Sequence, residues 1–151
     1  MDALVPANPD YVAAVRRGFA NQPLMGFLGA TIDRIEPGSV EIRVPFRTEI
    51  SQNHGYFHGG VIGAIADVAG GFAAYSLVPA GGSVLSAEYK VNIVAPGLGD
   101  ELIGRGQVIR GGKTLIFTEA RLFVVHKGEE NLCAVMLQTI RAHAGGGKNS
   151  F

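Results

Sequence analysis

The amino-acid sequence predicts an α+β fold in which an antiparallel sheet wraps one long central helix. Three observations carry this expectation. From Val61 to Val78 runs an apolar segment with a single charge, Asp67. After it come stretches in which apolar and polar residues alternate, the signature of strands with one buried face. Between those stretches lie short groups rich in Gly, Pro, Asp and Lys, which are turn chemistry.

The elements follow in order. Residues 1–8 are expected to be loose. Asn8-Pro9-Asp10 reads as a helix start, with Asn8 as cap, Pro9 in the first turn and Asp10 at the positive end. Tyr11, Val12, Val15 and Phe19 give a helical stripe to about Asn21, and Gln22-Pro23 stops it. Phe27-Leu28-Gly29 leads into a strand at 30–35. Glu36-Pro37-Gly38-Ser39 is a turn, and 40–46 is a half-buried strand that completes a hairpin. A loop over 47–58 precedes a helix from Gly59 to about Leu77, ended by Pro79-Ala80-Gly81-Gly82. Strands are expected at 84–94, 101–110, 114–126 and 132–142, with turns at 96–100, 111–113 and 127–130. One domain covers 1–143. The polar, glycine-rich 144–151 reads as a disordered tail.

The totals narrow the function classes. A chain of 151 residues suits one domain, and 47% hydrophobic with 17% charged residues supports a packed core. Lys and Arg number 13 and Asp and Glu 13, so no basic excess favours nucleic acid or a membrane surface as partner. The Val61–Val78 run approaches membrane-spanning length, but Gly63, Asp67, Gly70 and Gly71 interrupt it, and strand patterns follow. No basic segment with an apolar core opens the chain, so no signal peptide is expected and the cytoplasm is. Cys133 is the lone cysteine and lies in an apolar strand pattern. The chain therefore forms no internal disulfide or cysteine zinc site, and Cys133 reads as a small buried hydrophobe. No metal site is expected.

The chemistry concentrates at Gln52-Asn53-His54-Gly55-Tyr56-Phe57-His58-Gly59-Gly60 and the helix behind it. A lone carboxylate in an apolar segment is expensive to bury unless it is paired, hydrogen-bonded or used. Gly59 and Gly60 bare backbone N–H groups at a helix start, where the dipole favours negative charge. An acid and free N–H donors are the minimal parts of a site that adds water to a carbonyl. Asp67 lies eight positions after Gly59, roughly 12 Å along a helix, too far for one carbonyl to touch both. If both serve one site, they come from two chains. Antiparallel helices across a two-fold axis would then make two composite sites per homodimer.

These residues resemble the hotdog-fold thioesterases, within the 4-hydroxybenzoyl-coenzyme A thioesterase-like superfamily, and among them the phenylacetate-pathway (PaaI-type) branch. The resemblance runs from about Gly26 to Ala142. Gly55-x-x-His58-Gly59-Gly60 carries it, with Asp67 nine residues after His58. So do Ser86-x-Glu88-x-Lys90-x-Asn92-Ile93-x-x-Pro96 and Gly112-Lys113-Thr114. It implies a hotdog fold and an acyl-coenzyme A hydrolase, with coenzyme A as part of the substrate and no other cofactor. Asp67 matches the family's catalytic acid, acting on water or on the thioester carbonyl itself. Gly59 N–H would polarise that carbonyl, with Gly60 beside it, and His58 would orient the loop. Gln52 matches a position that holds water or substrate, and the adjacent Asn53 competes for that role. Ser86 matches a hydroxyl that helps place the water. Arg110-Gly111-Gly112-Lys113-Thr114 resembles the turn that contacts the coenzyme, where cations and free N–H groups suit phosphates.

Each residue also has a plain structural reading. His58, Gln52, Asn53 and Ser86 can be ordinary loop or strand residues, Lys113 a solvated charge, and His54, His126 and His143 surface or packing groups. Tyr56, Phe57, Phe72 and Tyr75 line an acyl pocket or belong to the core. An aromatic acid and a medium or long fatty chain both fit. Two other functions compete. A hotdog dehydratase or hydratase pairs a His with an acid differently, and that pattern does not appear here. A non-catalytic acyl-coenzyme A-binding protein of this fold usually carries a DNA-binding segment, for which the chain has no evident room. The fold also suggests a dimer of dimers, packed through sheets or helices.

Overall fold

The computed structural model describes residues 4–145. Its order is α1 (Tyr11–Ala20), α2 (Pro23–Leu28), β1 (Thr31–Glu36), β2 (Ser39–Pro45), a single 3-10 turn, α3 (Gly59–Tyr75), β3 (Ser83–Ile93), β4 (Glu101–Arg110), β5 (Leu115–His126) and β6 (Glu129–His143). The strands form one antiparallel sheet in the order β1-β2-β4-β5-β6-β3. Helix α3 packs against β2, β3, β4, β5 and β6. The expected α+β hotdog architecture is therefore present.

Alternation decides what faces the helix. Val40, Ile42 and Val44 of β2 are buried, as are Leu102 of β4, Leu122 and Val124 of β5 and Met136 of β6. Two glycines of β4 let the helix lie close. A Cβ on Gly106 would stand under 3.0 Å from the Ala69 carbonyl, and one on Gly104 under 3.0 Å from the Ile65 side chain. The helix answers with small residues at Ala66, Ala69, Ala73 and Ala74, all fully buried.

Several boundaries differ from the sequence reading, each for a local reason. Asn8 does not cap α1. Its Oδ1 accepts from Asp10 N–H at 3.0 Å, making a turn that precedes the helix and leaves Asp10 at the cap position. Pro9 accordingly lies outside the first turn. Pro23 opens a second helix rather than only stopping the first, because its missing N–H and preset φ suit the first helical turn. Gly29, at φ 68°, closes it. Helix α3 ends at Tyr75, short of Leu77. Strand β6 begins at Glu129, three residues early, because Lys127 and Gly128 both take positive φ and make a tight two-residue hairpin. The segment at 4–8 is not loose throughout, since Ala7 N–H donates to Leu77 O at 3.3 Å. Residues 1–3, and 146–151 of the expected tail, lie outside the described residues.

Helix α3 is also not buried on every side. Val61, Ala64, Asp67, Val68, Gly71 and Tyr75 form a face that the chain covers only partly. Beside it β3 is an edge strand, paired among the described residues with β6 alone, and exposes Leu85, Tyr89 and Ile93. On the other side of the sheet an ion-pair ladder crosses the strands. Arg43 bridges Asp33, Glu41 and Glu101, and Arg105 bridges Glu41 and Glu130.

Candidate active site

Asp67 sits on the half-covered face of α3, against β3 and β6. Ser86 Oγ donates to Asp67 Oδ1 at 2.6 Å. The Gln138 amide Nε2 donates to the same Oδ1 and lies 3.1 Å from Ser86 Oγ. The Gln138 carbonyl oxygen accepts from Thr118 Oγ1 at 2.8 Å. Asp67 is thus a hydrogen-bonded acid at the rim of a cleft of about 380 Å³, lined by Ser86, Val68, Phe72, Tyr75, Val84 and Gln22. The resemblance gives Ser86 a part in placing the water; here its hydroxyl donates to the Asp67 carboxylate.

Gln138 and Thr118 did not emerge from sequence reasoning. A signal for both exists in the alternation. Thr118 shares its face of β5 with Ile116, Ala120 and Leu122, and Gln138 shares its face of β6 with Met136 and Ile140. A single polar residue in such a row must find a partner.

At the start of α3, His58 is the cap residue and its Nδ1 accepts from Gly60 N–H at 2.9 Å. The two adjacent glycines therefore do not offer two free donors. The His58 ring takes one, and Gly59 N–H alone has no acceptor among the described residues. Gln52 and Asn53 stand in a tight turn closed by Gln52 N–H to Tyr56 O and Gly55 N–H to Gln52 O, each 2.9 Å. Gly55 holds φ 77° there. Gln52 Oε1 accepts from His54 N–H, so its acceptor is engaged inside the turn, whereas Asn53 is exposed. Phe57 N–H bonds Gly97 O at 2.9 Å and pins this loop to the turn before β4.

Arg110 ends β4, Gly111, Gly112, Lys113 and Thr114 join it to β5, and all five are exposed. Gly111, Gly112 and Lys113 line a cleft of about 540 Å³ with Leu77–Pro79 and Ala142–Ala144. Within one chain, then, Asp67 with Ser86, His58 with Gly60, and the 111–113 turn line three different clefts. The continuous helix keeps Gly59 and Asp67 roughly 12 Å apart. Of the aromatic candidates, Phe57 is core, edge-on to Phe46 at 5.2 Å, while Phe72 and Tyr75 line the Asp67 cleft. Among the described residues no three His, Cys, Asp or Glu side chains converge as metal ligands, and no helix is long and apolar enough to cross a membrane.

Residues 54–131 match the family model described as thioesterase superfamily. The chain is similar to a crystal structure of a thioesterase family protein from Silicibacter pomeroyi. Identity is 38%, 89% of this chain and 99% of that one are covered, and the TM-score is 0.88. It is similar to a Saccharolobus solfataricus protein named as a candidate esterase, 31% identical over 62% of this chain and 66% of that protein. The PaaI protein of E. coli, from the phenylacetic acid degradation operon, shares the fold at a TM-score of 0.81. It covers 92% of this chain and 97% of its own, at 19% identity. The matched segment holds the His58–Gly60 helix start, Asp67 and Ser86 together, and on these grounds the chain belongs to the thioesterase superfamily and is a thioester hydrolase.

Proposed function

We propose that the protein hydrolyses an acyl-coenzyme A to the free acid and coenzyme A, at composite sites of a homodimer. The observation that carries this is the unbroken helix that holds Gly59 and Asp67, eight positions and so roughly 12 Å of axial rise apart. Neither group alone both holds an oxyanion and delivers oxygen to the carbonyl. A two-fold axis beside the open face of α3 and the exposed edge of β3 would bring Asp67 to Gly59 of the partner subunit, twice per dimer. A dimer of dimers is the further assembly this reading favours, and the cytoplasm its compartment.

In the reaction, Gly59 N–H donates to the thioester carbonyl oxygen. The Asp67 carboxylate takes a proton from water as the water oxygen bonds to the carbonyl carbon, or adds to that carbon itself with water releasing the acid afterwards. The tetrahedral species breaks its C–S bond; on the first route the departing thiolate of coenzyme A receives the proton held by Asp67, and on the second it receives one from the water that cleaves the acyl–Asp67 anhydride. Ser86 holds the carboxylate and helps place the water. His58 keeps the helix start in shape, and Gln52 or Asn53 holds water or substrate in the loop. Arg110, Lys113 and the N–H groups of Gly111, Gly112 and Thr114 suit the coenzyme phosphates. No further cofactor takes part. The Phe72, Tyr75 and Val68 walls suit an aromatic or medium to long acyl group, as in a PaaI-type enzyme.

The test uses thiol release over a panel of acyl-coenzyme A thioesters with two variants. Asp67→Asn removes the acid. Gly59→Pro removes the donor at the first helical position, where proline is tolerated and His58, at ψ 138°, is already extended. Each alone should lose about 10²–10³-fold in kcat. Mixed and re-associated, they should regain about a quarter of wild-type activity, since half the dimers are mixed and each holds one intact site. Absence of any recovery in demonstrated mixed dimers overturns the composite site. Full activity in Asp67→Asn overturns the role of the acid.

A further inference from the structure

Gln138 is only 3% exposed and Thr118 fully buried, yet both are polar and both sit on the sheet face turned to α3. Their polar groups are nevertheless engaged. Gln138 Nε2 faces Asp67 Oδ1, Ser86 Oγ at 3.1 Å and the Asp67 backbone oxygen at 3.3 Å, and Gln138 Oε1 takes the Thr118 hydroxyl at 2.8 Å. A Cβ at Gly70 would stand under 3.0 Å from both Gln138 Oε1 and Thr118 Oγ1, so the pair occupies the space that this glycine leaves open. Two donors, Ser86 Oγ–H and Gln138 Nε2–H, converge on Oδ1 of Asp67, and among the described residues none stands against Oδ2.

We infer that Gln138, anchored by Thr118, is a positioning residue that holds Asp67 by Oδ1 and leaves Oδ2 as the oxygen that reacts. A turned amide would set its carbonyl oxygen against the Asp67 carboxylate, acceptor against acceptor, so the amide keeps Nε2 toward Asp67 while Oε1 takes the Thr118 hydroxyl at 2.8 Å. Thr118 thus steadies the far end of the Gln138 amide, and Gln138 sets the carboxylate rotamer. A fixed carboxylate reaches the carbonyl in productive geometry more often than a rotating one, so the clamp acts on kcat rather than on substrate affinity.

The inference rests on Asp67 being the acid of the reaction, and the experiment separates the two. Gln138→Leu, Thr118→Val and Thr118→Ser are compared by steady-state thiol release, with urea midpoints as a control on folding. Gln138→Leu should lower kcat 10–100-fold with KM within about twofold, and Thr118→Val should lower kcat less, in the same sense. Thr118→Ser, which keeps the hydroxyl, should restore kcat to within about twofold of wild type. In the Asp67→Asn background, Gln138→Leu should change the residual rate by less than twofold. If Asp67→Asn abolishes activity while Gln138→Leu and Thr118→Val keep wild-type kcat, the clamp is refuted and the acid stands. If Asp67→Asn stays active, both fall. Equal losses in Thr118→Ser and Thr118→Val also refute the clamp. Should Gln138→Leu not fold, the two Thr118 variants decide alone.

Discussion

Gly106 of β4 lies directly against the Ala69 carbonyl of α3, so close that a Cβ on Gly106 would stand under 3.0 Å from backbone atoms that cannot step aside. This contact sets the depth at which the helix rests on the sheet, two residues from Asp67. Gly106→Ala should therefore lift the helix or break its hydrogen bonding. The expected loss of stability is about 3 kcal/mol, at the upper end for overpacking, because backbone rather than a flexible side chain must move. Urea unfolding measures it, with the exposed neighbour Gln107→Ala as a control near zero. Thiol release per folded molecule should fall as well, since Gln138 reaches Asp67 only at the native depth.

The ion-pair ladder makes an acid-side prediction. Burial alone would raise the Glu41 carboxyl, but hydrogen bonds from Arg105 and Arg43 outweigh it and hold its pKa below the usual carboxylate value. A depressed native pKa contributes stability that is full above the unfolded value near 4.5 and fades as pH falls through the native one. Glu41→Gln should cost about 2 kcal/mol at pH 7, the scale of hydrogen bonds to charged groups. Its deficit should shrink in urea titrations below pH 4, where wild type also takes up the proton. A deficit independent of pH would show that packing rather than charge holds this residue.

Cys133 makes the opposite prediction on the alkaline side. It is fully buried, and burial pushes its thiol up from 9.0 to about 11. The unfolded thiol ionises near 9 while the native one stays protonated. The unfolded state then binds fewer protons, and this term of stability declines between pH 9 and 11. Cys133→Ala or Cys133→Val should remove that term and flatten the stability profile over this window. At pH 8 the native thiol should react with an aromatic disulfide reagent only as fast as the protein opens, reaching one equivalent in denaturant. Rapid stoichiometric labelling of the native protein would contradict this burial.

The fold was legible because its signals are one-dimensional. A long apolar run with caps and strands with period two leave little choice, and their faces match the burial observed along β4, β5 and β6. Pro23 was misread because the same residue ends one helix and opens another. The open face of α3 was not legible, since Val61, Ala64, Val68 and Gly71 look like core whether or not the chain itself covers them. Asp67 stands out in the sequence as the lone charge of an apolar run and Ser86 by its resemblance to a family motif, and their hydrogen bond joins residues 19 positions apart. Gln138 and Thr118 are not legible because each is one polar position in an apolar row, and its partner lies on another element. Gly60 looks like a free donor in the sequence because no rule of spacing announces that a histidine ring will cap its own helix.

That cap separates two roles for His58 that its sequence position leaves merged. The Nδ1 acceptor satisfies Gly60 N–H at 2.9 Å, which is the work of an Asn, Asp or Ser cap done by an imidazole. If capping is its task, His58→Asn should keep the helix start, with stability and kcat within about twofold of wild type. His58→Ala should lose about 1 kcal/mol, the usual cost of a missing cap, and several-fold in kcat as Gly59 N–H loses its fixed direction. Thermal unfolding and thiol release on the two variants read both effects. Equal damage in Asn and Ala would assign the ring a part beyond the cap, because the hydrogen bond to Gly60 would then have been restored without restoring the rate.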